Sequence, residues 1–191
     1  MTDSSDRRNR RWENTHRRIL TTALDLFEDF GYEQVSVGQI ARRSEVSVPT
    51  FYAHYTSKEH LIMALPTAEQ VDALLASQPA ELPLGERIRR ALPLFLAQLT
   101  PEASEEMSTR WRIIAATPAL RTRAAEFERE TAGMIVQSLA ASSGRPPGPA
   151  ETVQACAALV AYTAALLAWA DSSGERKLEE TLDEAFRALN G

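Results

Sequence analysis

Apolar residues recur every three or four positions along almost the whole chain, and no stretch alternates at a period of two. That periodicity belongs to helices with one packed face, so the predicted fold class is all-α. Ile19, Ala23, Leu26, Phe27 and Phe30 mark a first amphipathic helix from about residue 14, and Gly31 supplies its stop. Two short helices follow at 36–43 and 47–55. Another opens at Thr56-Ser57-Lys58-Glu59, where Thr56 and Glu59 have capping-box spacing and Leu61, Ile62 and Leu65 form the apolar stripe. Pro66 kinks or ends that helix. Beyond residue 75 the pattern predicts helices at 84–99 with Pro93 inside, 102–116 closed by Thr117-Pro118, and 118–143. The last of these carries Leu120, Ala124, Phe127, Thr131, Met134 and Leu139 on one face. The breaker run Gly144-Arg145-Pro146-Pro147-Gly148-Pro149 is an exposed loop. A helix at 150–172 and a final one carrying Leu178, Leu182, Phe186 and Leu189 bring the total to about nine.

Three divisions follow: an Arg-rich flexible tail over 1–12, a helix-turn-helix head over 13–62, and a larger helical body over 63–191. In the head, Ser36 caps one helix with Gln39 closing a capping box, and Ser47 caps the next. This second helix is too short to stand alone. Its outward residues, Val48, Thr50, Tyr52 and His54, do not suit an ordinary solvated face. In a helix-turn-helix the N-terminal residues of the second helix meet base edges while hydroxyls and flanks grip phosphate. The partner predicted is double-stranded DNA.

A net charge of −5 at first argues against that partner, but the charge is unevenly spread. Residues 1–65 hold nine Lys/Arg and nine Asp/Glu, whereas residues 66–191 hold 12 and 17. The acidity is in the body, and Arg7, Arg8, Arg10, Arg11, Arg17 and Arg18 crowd the start. A tail of this kind can lie on phosphates or reach into a minor groove. A single cysteine, Cys156, excludes an intrachain disulfide and a cysteine zinc finger. The early arginines have no apolar stretch behind them, so no signal peptide is read and the compartment expected is the cytoplasm.

Residues 15–65 resemble the DNA-binding head of the TetR/AcrR family of transcriptional regulators. The likeness rests on an ordered string: Ala23-Leu24-Asp25-Leu26-Phe27, Gly31-Tyr32, Ser36-Val37, Ile40-Ala41, Val46-Ser47, Thr50-Phe51-Tyr52, His54-Tyr55 and Ser57-Lys58-Glu59-His60-Leu61. The resemblance implies Val48, Pro49, Thr50 and His54 on the base side, Tyr52 and Lys58 as phosphate clamps, and Ser36 with Arg42 or Arg43 as further backbone contacts. Ser47 and Tyr55 complete the expected DNA-binding set. Glu45 departs from the family pattern, which has glycine at that turn. It must either adopt a left-handed conformation, at roughly 1 kcal/mol, or reshape the turn. Gly38 is a poor helix former in the first motif helix.

In the body, residues 153–170 lack any charged side chain, and eight of the eighteen are alanine. That is too small-residue-rich and too interrupted for a membrane span; a helix apolar all round is otherwise buried. With the last helix it is expected to form half of an intersubunit four-helix bundle in a homodimer, with no membrane partner. Phe95, Trp111, Phe127, Met134, Tyr162 and Trp169 are candidate lining for a ligand cavity. Arg112, or alternatively Arg110 or Arg121, is the candidate anchor for an acidic group, and core packing or surface pairing is the competing assignment for each. The stretch from Trp111 to Arg121 resembles a branch of the family that senses acyl-CoA-like thioesters. No glycine-rich phosphate loop, metal-ligand spacing or catalytic histidine arrangement is present, so neither an enzyme nor a cofactor is expected. The resulting expectation is a DNA-binding repressor released from a palindromic operator by a small apolar ligand. The alternative is a DNA-binding regulator without such a ligand, whose body serves only dimerisation or protein contact.

Overall fold

The computed structural model describes the backbone of residues 3–63, 65–172 and 174–189, and side chains from residue 6 onward. Among the described residues there are ten helices and no strand. They divide into two compact units, Met1–Ala64 and Leu65–Gly191, two residues beyond the expected boundary.

The head comprises α1 (Asp3–Phe30), α2 (Val37–Arg43), α3 (Val48–His54) and α4 (Lys58–Ile62). Gly31 ends α1 at φ 82°, with its N–H donating to the Phe27 carbonyl at 2.9 Å. The buried face of α1 is Ile19, Leu20, Ala23, Leu24 and Phe27, while Phe30 is 63% exposed. This shifts the expected stripe toward Leu20 and Leu24. The tail reading is corrected for residues 3–12, which continue α1 as helix; residues 1 and 2 lie outside the described residues. Once a helix is nucleated, each added residue brings a hydrogen bond for one fixed residue, and arginine is a good helix former.

The body comprises α5 (Ala68–Ala76), α6 (Leu84–Ala97), α7 (Pro101–Ala116), α8 (Pro118–Ser143), α9 (Pro149–Asp171) and α10 (Leu178–Ala188). The sequence analysis missed α5, which accounts for ten helices instead of nine. Thr67 and Gln70 close a full capping box at its start, and Val71 and Leu75 are its buried residues. Its far end is held by Arg87, a buried guanidinium donating to the Leu75 carbonyl at 2.6 Å, where a cation favours the last carbonyls of a helix. Helix α9 is the centre of the body and packs on α6, α7, α8 and α10. Ala155, Ala158, Ala161 and Ala165 are buried along it, so neighbouring backbones approach closely. By length and composition alone α9 could cross a membrane; here it is the core helix of a bundle. The buried stripe of α8 is Leu120, Ala124, Ala132, Ile135 and Val136, which leaves Phe127, Thr131, Met134 and Leu139 only half-buried.

Candidate nucleic-acid interface

The motif is assembled by local capping. Gln39 N–H donates to Ser36 Oγ at 3.2 Å while Ser36 N–H donates to Gln39 Oε1 at 2.8 Å, so both expected halves of the box are formed. Ser44, buried at the other end of α2, returns its hydroxyl to the Ile40 carbonyl at 2.7 Å. Glu45 takes the left-handed conformation at φ 55°, the first of the two expected outcomes. Val46 N–H then reaches the Ala41 carbonyl at 2.9 Å. Replacing Glu45 by glycine relieves this conformation and removes an exposed negative charge beside the turn. Glu45→Gly is expected to stabilise the head by about 1 kcal/mol, read as a higher denaturant midpoint.

Ser47 caps α3 by accepting from Thr50 N–H at 3.1 Å, and the Ser47 and Thr50 hydroxyls lie 2.7 Å apart. Only Phe51 on this seven-residue helix is buried. Val48 is 41% and Tyr52 52% exposed, Pro49 is exposed, and Thr50 is half-exposed. Arg42 and Arg43, in the last turn of α2, are exposed. The result is a short apolar and hydroxyl-bearing face flanked by guanidinium groups, a surface chemistry that fits a groove floor between phosphates.

Three expected contacts are placed differently. Tyr55 is only 4% exposed, and its hydroxyl donates to the His16 carbonyl at 3.1 Å. It is a core residue tying α3 to α1, which corrects its place in the DNA-binding set. It sits at the C-cap in extended conformation, where helical period no longer decides which way a side chain faces. His54 is half-buried in a stack of rings. Its centroid lies 4.9 Å from Trp12 and 5.7 Å from His16, and His16 lies 4.2 Å from Tyr55. Lys58 is half-buried, with Nζ donating to the Tyr32 and Val35 carbonyls at 2.7 and 3.0 Å, 4.0 Å over the Tyr32 ring. Burial lowers its pKa, against the raising effect of Glu33 and Glu59. Burial, with Glu59 nearby, pushes the Tyr32 phenol up to about 12. The cap of α4 is Ser57, which accepts from His60 N–H at 3.0 Å; Thr56 instead pairs with His60 Nδ1 at 3.0 Å. Sequence reasoning missed Trp12, although a tryptophan four residues before His16 has the spacing of a helical pair.

Burial depresses the His54 pKa. A histidine whose pKa is lowered in the fold binds fewer protons there than in the unfolded chain as pH falls, so its stabilising contribution is full above the free value near 6.5 and is lost as pH falls below it. Head stability should therefore decline on acidification below about pH 6.5, and His54→Gln should flatten that decline in denaturant midpoints measured across pH. An unchanged slope in His54→Gln would assign the decline to other groups.

In the body, Met134 and Tyr162 pack against the common core cluster, whereas Phe95, Trp111, Phe127 and Trp169 lie outside it. Phe95 is 43% exposed, and Trp111, Phe127 and Trp169 are half-buried. The Arg123 guanidinium sits 5.7 Å from the Phe127 ring centroid. Burial holds the Tyr162 phenol neutral, its pKa raised to about 12. Arg112 bonds Ser108 and Thr109 of its own helix, Arg110 pairs with Glu106 at 2.8 Å, and Arg121 pairs with Asp171 at 2.7 Å.

The chain comprises a capped helix-turn-helix unit and a second helical unit, an architecture found in DNA-binding transcriptional regulators. Residues 19–65 match the model of bacterial regulatory proteins of the TetR family, and residues 82–191 match that of the MftR C-terminal domain. The chain belongs to the TetR family of transcriptional regulators, which are not enzymes. It is 30% identical over 146 residues to the transcriptional regulator TcmR of Streptomyces glaucescens, covering 72% of this chain and 64% of that protein. It is 28% identical over 163 residues to the transcriptional repressor KstR of Rhodococcus jostii, covering 80% and 71%. The crystal structure of NalD, the secondary repressor of a multidrug efflux pump in Pseudomonas aeruginosa, superposes with TM-score 0.55 at 24% identity over 92% of this chain and 95% of that one.

Proposed function

We propose that the chain is a cytoplasmic, homodimeric repressor that reads a pseudo-palindromic operator with α3 and leaves it when the body binds a small apolar ligand. The observation that carries the reading is the outward face of α3, where Val48, Pro49 and Thr50 are presented on a helix that buries only Phe51. These three are the base-side residues. Tyr52, Ser36, Arg42, Arg43 and the remaining N–H of Lys58 face phosphate, and His54 supports α3 through the ring stack. The repressor sign is taken from KstR, a transcriptional repressor.

Two heads would occupy successive major grooves with half-site centres about 34–36 Å apart. Selection from a random duplex pool should enrich an inverted repeat of that spacing. Salt-sensitive binding without a consensus would contradict the reading.

The dimer surface is the outer face of α9 with α10. Val153 and Val160, seven positions apart on α9, are 66% and 54% exposed, and Leu189 beyond α10 is 47% exposed. A charge placed among them should prevent association, so Val160→Asp is expected to run as a monomer in size-exclusion chromatography with light scattering. A dimeric Val160→Asp would put the interface elsewhere.

The ligand is small and apolar, and the resemblance over 111–121 makes acyl-CoA-like thioesters the first class to screen. Release requires the ligand to prefer the non-binding conformation, typically by about 1–3 kcal/mol. A saturating ligand that raised the melting temperature yet left operator affinity unchanged would favour the ligand-independent regulator.

A further inference from the structure

The N-terminal end of α1 reaches well past the three-helix core. Residues 6–14 are exposed on every side of the helix, so this part of α1 is not a packing element. Between residues 6 and 18 there are six arginines against only Asp6 and Glu13, in a chain whose overall charge is −5. Arg8, Arg10, Arg11, Arg17 and Arg18 are exposed and make no ion pair among the described residues. A helix with this excess of arginine over carboxylate is complementary to a polyanion.

Its root is fixed beside the recognition helix. The Trp12 ring stacks on His16 at 4.7 Å, one turn along α1, and meets His54, the last residue of α3, at 4.9 Å. Trp12 is nevertheless 51% exposed, so it contributes little to the core, and what its ring does is hold the start of α1 to the end of α3. The major groove is about 12 Å wide, so the phosphates bordering it lie only about half that distance from a helix seated in it. An element rooted within one ring contact of α3 reaches those phosphates. The ten helical residues from Asp3 to Trp12 extend about 15 Å, which is about four base-pair steps.

We propose that the N-terminal extension of α1, anchored by Trp12 on His54, is a second DNA-binding element that grips the phosphate backbone flanking the base-read half-site through Arg8, Arg10 and Arg11. This rests on the reading of the head as a DNA-binding module. It adds affinity and footprint length without adding sequence preference, because phosphates carry no base identity.

The test uses the full chain, the operator selected by the wild type, and the variant Arg8→Gln/Arg10→Gln/Arg11→Gln, since glutamine keeps helix propensity. The slope of log affinity against log salt should become shallower by about 1 per arginine, roughly 3 for each head and about 6 for the bound dimer. Affinity near physiological salt should fall on the order of tenfold or more, the order of preference among operator variants should be unchanged, and footprint protection should shorten by about four base pairs at each flank. Trp12→Ala, with every arginine retained and the core undisturbed, should shift slope and footprint in the same direction. Unchanged slope and footprint in the triple variant, with the wild type bound to its operator, would overturn the extension while leaving the α3 reading intact. Failure of the wild type to select any operator would overturn both.

Discussion

Phe51→Ala is expected to unfold the head and abolish operator binding while leaving the body folded. Phe51 is fully buried, the only buried side chain of α3, and its ring meets Tyr52 edge-on at 5.4 Å and Tyr55 at 6.0 Å. Truncating a buried phenylalanine typically costs about 3–5 kcal/mol. A unit as small as Met1–Ala64 buries a modest fraction of its surface, and total stabilities of about 5–15 kcal/mol leave little reserve for such a loss. The body has its own core around Ile88, Ile135 and Leu159, so the variant should start with less helical circular dichroism than the wild type and show one remaining transition, that of the body. Helical signal equal to that of the wild type before heating, or retained operator affinity, would contradict the assignment of Phe51 as the element that seats α3.

Lys58→Met carries the second large effect, on stability and on binding at once. Its ammonium satisfies the Tyr32 and Val35 carbonyls at 2.7 and 3.0 Å, closing the connection between α1 and α2. Charge-assisted bonds of this kind contribute about 1.5–3 kcal/mol each in favourable settings. Allowing for the half-exposed position of Lys58, the loss expected is roughly 2–4 kcal/mol. Lys58→Arg should not rescue it, because a planar guanidinium does not fit where a compact ammonium points at two carbonyls over a ring. Binding measured well below the variant's melting temperature separates the two roles. If the third N–H meets a phosphate, affinity falls for every operator variant alike and the salt slope loses about one unit per head, about two for the bound dimer. A stability loss with unchanged affinity would leave Lys58 a structural staple alone.

The capping chemistry was legible because it is local. Ser36 with Gln39, Ser47 ahead of a proline, and the Gly31 stop each decide a helix end within four residues, and all three are formed. The strain at Glu45 was legible for the same reason. Where hydroxyls were adjacent, the sequence did not choose between them: Ser57 took the cap and Thr56 turned to His60. Burial was harder to read where it depends on a distant element. Tyr55 looks like a recognition-helix residue by spacing, but the carbonyl of His16, thirty-nine positions away, draws it inward. Lys58 reads as a free cation until the Tyr32 and Val35 carbonyls are brought to it. The pocket residues were drawn from apolar periodicity, which marks the inside of a bundle without distinguishing a packed core from a cavity. Only Met134 and Tyr162 of that set join the core cluster.

The central claim is that the outward face of α3 reads bases. The most direct measurement is the affinity of the wild type and of Thr50→Ala for a library of single-base variants of the selected operator, at one fixed salt concentration. Discrimination should collapse by about 1–3 kcal/mol at one symmetric pair of positions and persist elsewhere. A uniform loss across all variants would contradict the account, making α3 a phosphate-contacting helix and placing base recognition elsewhere in the head.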